Sequence, residues 1–400
     1  MKKIQRIGQE ERDLVMEVLG YGFKSNKNYC MVTQLEKEFA AKFGTKYAVA
    51  MVNGTVTLHA ALEAAEVREG DEVICPPLTM SSTSICVLHA NATPVYADVD
   101  PETFTIDPKD IERKITPKTK AIIPVSLYGL PCDIDPIMEI AKKHSLTVIE
   151  DNAQCFLGGY KGRIAGKGAH MASYSFQASK HMTSGEGGIV TTDDPELALK
   201  LRRYSGLGYG AIGLEKGRIS KDDIQSPNFE RHVTLGWNYR PSDLCGAVAL
   251  GQLRHLDELV EMRRICGQHF LEAVKGFGWL KPQVTPADRV NSYWAFVMAL
   301  DTKKVDWFAF RRKFMELGGD GVYGAWKLAY LEPMFRTQEF RGREAILARH
   351  GDYRYAPGAC PVAEDLQPRL LQFKTDYFDE EEVVKQAEIL RRTAESFDRT

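Results

Sequence analysis

Short, uninterrupted apolar runs recur through the first 260 residues, and stretches of helical periodicity separate many of them. "KAIIPV" (120–125) and "LTVIE" (146–150) show the type. A strand exposed on one face alternates apolar with polar residues. A run that does not alternate is covered on both faces, as in parallel sheets flanked by helices. Seven strands are predicted, at Tyr47–Val52, Glu72–Cys75, Pro94–Val99, Ala121–Val125, Thr147–Glu150, Ala172–Phe176 and Gly188–Thr192. Helices are predicted over Thr33–Phe43, closed by Gly44, and over Thr55–Glu66 and Pro136–His144. The alternation implies an α/β fold around a largely parallel sheet.

The pattern changes after about residue 260. "DELVEMRRICGQHFLEAVKGFGW" reads as a long amphipathic helix, and "FDEEEVVKQAEILRRTAESFD" reads as another near the end. The expected organisation is a large α/β unit over 1–260, with an N-terminal helical segment, and a smaller α+β unit over 261–400. No low-complexity linker separates them, so they should pack firmly.

Composition excludes several classes. Lys and Arg number 52 against 54 Asp and Glu, which argues against nucleic acid as the main partner, since phosphate backbones demand concentrated positive charge. No uncharged apolar run approaches the roughly 20 residues that span a bilayer. The start, "MKKIQRIGQEERDLV", lacks an apolar core of the signal-peptide type. Eight scattered cysteines include no CxxC pair, so neither a zinc site nor a disulfide framework is expected. These features suggest a cytoplasmic protein without a metal. The segment 205–231 contains Gly208-x-Gly210-x-x-Gly213, but a basic helix precedes it, whereas a dinucleotide fingerprint follows a strand. It reads as a mobile surface loop near the active site.

Open parallel sheets bind ligands beyond the carboxyl ends of their strands. Asn53-Gly54 follows the first strand and leads into a helix near Thr55. Unpaired N–H groups there would form a phosphate cup, although an ordinary strand-to-helix turn has the same look. Asp151 follows the fifth strand and is either a crevice carboxylate or a helix cap. In "SYSFQASKHMTSGEGGIVTTDD" (173–194), Lys180 lies between a strand and a glycine-rich turn. It is either a solvated charge or a placed nucleophile. A phosphate cup, a carboxylate and a lysine in one crevice suggest pyridoxal 5'-phosphate, which has a phosphate, a ring nitrogen and an aldehyde.

Seven segments in order carry a family resemblance: "NGTVTLHAALEAAEVREGDEVICPPLT", "TPVYADVDPETFTID", "LYGLPCDIDPI", "VIEDNAQ", "SYSFQASKHMTSGEGG", "GWNYRPSDLCGAVALGQL" and "CPVAEDL". From about Phe23 onward the chain resembles the DegT/DnrJ/EryC1/StrS sugar aminotransferases, which are fold-type I pyridoxal-phosphate enzymes. The resemblance implies that Lys180 bonds the cofactor aldehyde and later carries the proton, while Asp151 pairs with the ring nitrogen. Gln154 should meet the phenolic oxygen. Gly54, Thr55, Val56 and Ser175 should hold the phosphate, with Asn238 reaching it from a second copy in a homodimer with composite active sites. His181 and Tyr323 are candidate substrate contacts, with Trp326 beside the latter.

Two positions depart from the family pattern. Met80 stands where an aromatic residue often stacks on the cofactor, although a thioether can also pack on a ring. Ser126 stands where histidine is common. The implied reaction takes an amino group from L-glutamate or L-glutamine to a keto or aldehydo sugar in amino-sugar biosynthesis. A nucleotide-linked acceptor, a keto-inositol and a free oxo-sugar all stay open. A non-catalytic regulator that retains the cofactor site is the reading from another class, and the intact Lys180, Asp151 and Gln154 count against it.

Overall fold

The computed structural model describes residues 2–23, 30–210, 213–214, 225, 227–340 and 355–398. The strands in chain order begin with β1 (Tyr47–Met51), β2 (Glu72–Cys75), β3 (Thr93–Tyr96), β4 (Thr119–Ile122) and β5 (Thr147–Asp151). A hairpin of β6 (Gly159–Tyr160) and β7 (Arg163–Ile164) follows, then β8 (Met171–Ser175) and β9 (Gly188–Thr192). Later come β10 (Leu280–Pro282), β11 (Arg289–Val290), β12 (Ala295–Leu300), β13 (Tyr323–Gly324) and β14 (Leu370–Lys374).

The large sheet has seven strands in the order β1-β9-β8-β5-β4-β2-β3. Pairings from β8 through β5, β4 and β2 to β3 are parallel, and β9 runs antiparallel to both β1 and β8. Six strands therefore point the same way. All seven predicted strands are present, with ends shifted by at most three residues. The apolar runs read correctly because β5, β8 and β9 are buried along nearly their whole length. Helices Met31–Phe43 and Gly54–Ala64 also fall close to prediction. Gly44 closes the first at φ 67°, where a side chain would be strained.

A second sheet, β10-β12-β14-β13, is antiparallel. It packs against the long helices Leu256–Val274 and Glu380–Asp398, with Phe270, Phe296, Phe310 and Phe373 in its core. The packing does not divide the chain at a single point. Tyr330, Phe335 and Tyr355 share a core with Tyr96 of β3. The Tyr355 hydroxyl donates to the Pro94 carbonyl at 3.0 Å, and Asp98 accepts from the Val362 and Ala363 amides at 2.8 and 2.9 Å.

Much of the expected loop at 205–231, residues 211–212, 215–224 and 226, lies outside the described residues. Its first glycines follow the helix Pro195–Ser205, not a strand. Gly208 sits at φ 71°, and a Cβ there would meet the Thr234 carbonyl oxygen at 1.8 Å. Close backbone packing explains this glycine without a nucleotide. Among the described residues no helix is long and apolar enough to cross a membrane.

Candidate active site

Three strands of common direction end together. β1 delivers Asn53-Gly54, β5 delivers Asp151 and β8 delivers Ser175. These ends open into a cleft of about 510 Å³, whose lining also includes Met80, Gln154, Lys180, Trp294 and Trp326. The crevice lies where parallel-sheet topology puts ligands.

Asp151 ends β5 as a buried carboxylate. One oxygen accepts from the Thr83 hydroxyl at 3.0 Å, and the other accepts from the Ala153 amide at 3.1 Å. Burial pushes its pKa above the usual carboxylate value, while the Ala153 amide, the Thr83 hydroxyl and the Lys180 charge pull the other way. Such a carboxylate, fixed by two donors, is poised to take a cationic N–H partner.

Lys180 is only 8% exposed. Its pKa is pushed down from 10.5 to about 8, first by burial, with Asp151 opposing and Arg263 assisting. Its Nζ lies 4.4 Å from the centroid of the Trp294 ring, a favourable seat for a cation. Near neutral pH a useful fraction of the amine is therefore neutral and nucleophilic. The lysine rides on the loop between β8 and β9, tied down where the Lys180 amide donates to the Gln177 carbonyl at 2.9 Å. The solvated-charge reading of Lys180 is excluded by this burial.

The phosphate side corrects part of the expectation. The first N–H groups of helix Gly54–Ala64 are not all open, because Asn53 Oδ1 accepts from both the Thr55 and Val56 amides at 3.0 Å. Asn53 is an N-cap as well as a turn residue. Hydroxyls stand beside them: Thr55 Oγ1 and Ser82 Oγ are 2.9 Å apart, and Ser175 lines the same wall. Gly54 makes this wall possible. A Cβ there would lie 2.7 Å from Ser175 Cβ, so only glycine lets the helix start approach the end of β8 so closely.

Gln154 is buried, and its Oε1 accepts from the Tyr128 amide at 2.9 Å. That bond fixes the carboxamide, leaving its NH₂ as the donor at the cleft. Met80 lines the cleft and is 48% exposed, with its sulfur accepting from the Ser82 amide and hydroxyl at 3.2 Å each. Ser126 is in the core instead. Its hydroxyl donates to Glu150 at 2.9 Å and accepts from the Cys132 amide at 3.1 Å. The departure at 126 thus touches the support beneath Asp151 and not the cleft.

His181 is a correction. The structure buries it away from the cleft, with Nε2 3.0 Å from the Ser292 carbonyl oxygen and its ring against Phe156. Burial holds its pKa well below the ordinary value, so it stays neutral. Adjacent residues on this turn face opposite ways. Tyr323 is 58% exposed and lines a second lobe of about 460 Å³ that shares Ser179, Trp294 and Trp326 with the first. Asn238 is exposed and does not line its own chain's cleft. Thr83, Trp294 and Arg263 were missed by sequence reasoning. Thr83 could have been found, since it follows the quoted "PPLT" segment, whereas "NSYW" carries no marker.

A profile of the DegT/DnrJ/EryC1/StrS aminotransferase family matches residues 5–376. The chain belongs to the DegT/DnrJ/EryC1/StrS aminotransferase family. It is 38% identical over 298 residues to GDP-perosamine synthase of Caulobacter vibrioides, covering 74% of this chain and 76% of that one. Identity is 37% to the spore coat polysaccharide biosynthesis protein SpsC of Bacillus subtilis, covering 74% and 75%. Among solved structures, an aminotransferase from Psychrobacter cryohalolentis superposes with a TM-score of 0.84 at 30% identity, covering 98% of both chains. DesV of S. venezuelae gives 0.82 at 27%, covering 99% of both.

As a member of the DegT/DnrJ/EryC1/StrS family the protein is an aminotransferase that uses pyridoxal 5'-phosphate. The residues present fit that group. A glycine keeps the space between the helix start and β8 open, hydroxyls line it, and a buried acid fixed by two donors lines the same cleft. When bound, the cofactor supplies an aldehyde for an amine and an electron sink for the bond being broken.

Proposed function

We propose that this aminotransferase moves an amino group from L-glutamate or L-glutamine to a keto or aldehydo sugar, with a nucleotide-linked sugar as the leading acceptor. The observation that carries the reading is the pairing, in one cleft, of a buried Lys180, its pKa lowered to about 8, with a buried Asp151. Lys180 would hold the cofactor through its aldehyde and would serve as base and acid for the proton moved at the reacting carbon. Asp151 holds the ring nitrogen protonated. Gln154 donates to the phenolic oxygen. Thr55, Ser175 and the open face at Gly54 hold the phosphate beside Val56, and Met80 packs on the ring. Trp294 and Trp326 keep water from the amine and, with Tyr323, form the wall against which the acceptor lies. A relative named for a GDP-linked sugar product supports the nucleotide-linked acceptor.

The working unit in this reading is a cytoplasmic homodimer. Asn238 sits on an exposed segment with Val233, Leu235 and Trp237, and Leu235 is 82% exposed. Such a strip suits burial by a second copy, which would bring Asn238 to the other cleft. Mixing Lys180→Ala with Asn238→Ala chains should restore part of the activity through one complete site per mixed dimer. No gain after full subunit exchange would remove the shared site.

The direct test is a half-reaction. L-glutamate should bleach the visible absorption of the loaded protein, and a candidate keto sugar should restore it. A protein whose spectrum glutamate and glutamine both leave unchanged would not be a transaminase with these donors.

A further inference from the structure

We infer that Arg263 and Arg6 are positioning residues for Lys180: two guanidiniums from distant parts of the chain converge on the carbonyl of the lysine itself. The inference rests on Lys180 being the reacting amine. Arg263 lies on the helix Leu256–Val274 and is 3% exposed. Its Nη2 donates to the carbonyls of Ser179 and Lys180 at 2.9 and 3.2 Å. Its Nη1 donates to the Trp294 carbonyl at 2.9 Å and the Thr375 hydroxyl at 3.1 Å. Arg6 comes from the N-terminal segment, and its Nη2 donates to the carbonyls of Ala178 and, at 3.1 Å, Lys180. Trp294 Nε1 adds a bond to the Ser179 carbonyl at 3.0 Å.

All three carbonyls of residues 178–180 are thereby held, and the Lys180 carbonyl accepts two charge-assisted bonds. Such bonds are roughly twice as strong as neutral ones. The side chain can swing between partners while its backbone anchor stays still. Arginine suits this work because its planar fork presents several donors in fixed directions and stays charged. A lysine or an amide could not bridge four acceptors.

The two arginines differ in how they act on the amine. Among the described residues, no carboxylate is at hydrogen-bond or ion-pair distance from Arg263, and Asp376 is the acid it senses. Its charge is thus little neutralised and reaches Lys180, opposing Asp151 of β5. The other groups nearby are His181, neutral through burial, Glu186 on the cleft wall and the Trp294 ring. Arg6 sits farther out, with its guanidinium 5.5 Å from the centroid of the Phe378 ring, and acts through the backbone. Arg263 should therefore tune both the position and the proton affinity of Lys180, whereas Arg6 should tune position alone.

The test reads the lysine without the cofactor. Cofactor-free protein is labelled with 1-fluoro-2,4-dinitrobenzene across a pH series, and the Lys180 peptide is quantified by mass spectrometry. The wild-type midpoint is expected at about 8. Arg263→Gln should raise it by about one pH unit, the lower end of what a nearby charge does. Arg6→Gln should leave the midpoint in place and slow turnover of the loaded enzyme several-fold. Arg263→Lys, which keeps the charge and loses the fork, should hold the midpoint and lose rate. A folded Arg263→Gln protein with an unmoved midpoint overturns the inference, as does an Arg6→Gln midpoint that moves equally. If Arg263→Gln does not fold, Arg263→Lys decides: an unmoved midpoint with reduced rate supports the inference, and a raised midpoint or an unchanged rate defeats it. None of these labelling results depends on which sugar the enzyme aminates.

Discussion

The two walls of the cleft are built on different principles. On the sheet side, Asp151, Gln154 and Lys180 are buried, and each is bonded to backbone or side chain before any ligand arrives. The aromatic residues are open instead: Trp326 of the cleft is 40% exposed, and Tyr323 of the adjoining lobe 58%. The sheet wall sets what reaction is possible, because a reacting group must be held before the reaction starts. In the proposed reaction the aromatic residues would select the acceptor, since a ring face tolerates many apolar sugar faces. Chemistry can therefore stay fixed while substrate choice drifts.

The contrast can be broken from the sheet side first. Lys180→Ala should reduce turnover to background while leaving the phosphate contacts, so the variant still binds the cofactor but shows no steady-state transamination. Normal turnover by this variant would sink the assignment. Asp151→Asn keeps the shape and loses the charge, and single-turnover amination should fall on the order of 10²–10⁴-fold. An unchanged rate with glutamate would mean that another group faces the ring nitrogen.

Smaller effects sharpen the comparison. Gly54→Ala forces a methyl group against Ser175, and overpacking of that kind costs about 1–3 kcal/mol. Urea denaturation should show that loss, and equilibrium titration should show weaker cofactor binding. Trp326→Ala removes one ring of a pair worth about 0.5–1.5 kcal/mol. The KM for the acceptor should rise by about tenfold or less, with the glutamate half-reaction unaltered. A change in both half-reactions would mean that this ring also serves the sheet wall.

What the sequence shows follows the same division. The strands were legible because both faces are covered, which leaves apolar runs without alternation. Asp151 and Lys180, which the structure brings to one cleft, stand out in the sequence because a strand end and a glycine-rich turn mark them. The capping of the Thr55 and Val56 amides by Asn53 is harder to read, because asparagine is both a turn residue and a favoured N-cap. His181 was misplaced because adjacency to Lys180 in sequence says nothing of which way a turn directs each side chain. Trp294 and Arg263 were invisible for a different reason. Their roles depend on contacts across 115 and 84 residues of chain, respectively, and one of two adjacent arginines on an amphipathic helix looks solvated.

One pairing in the large sheet bears on how the protein is made. β1 has no partner among its sequence neighbours and pairs instead with β9, Tyr47 opposite Thr192. During synthesis the segment leading to Asn53-Gly54 must wait until some 140 further residues have emerged. β2 can pair with both β3 and β4 long before that. Long-range pairings are slow to form because loop closure must come first. The turn proposed to hold the phosphate is therefore among the last parts of the sheet to be fixed, and a nascent chain halted before residue 188 should have no competent site, however complete its other strands.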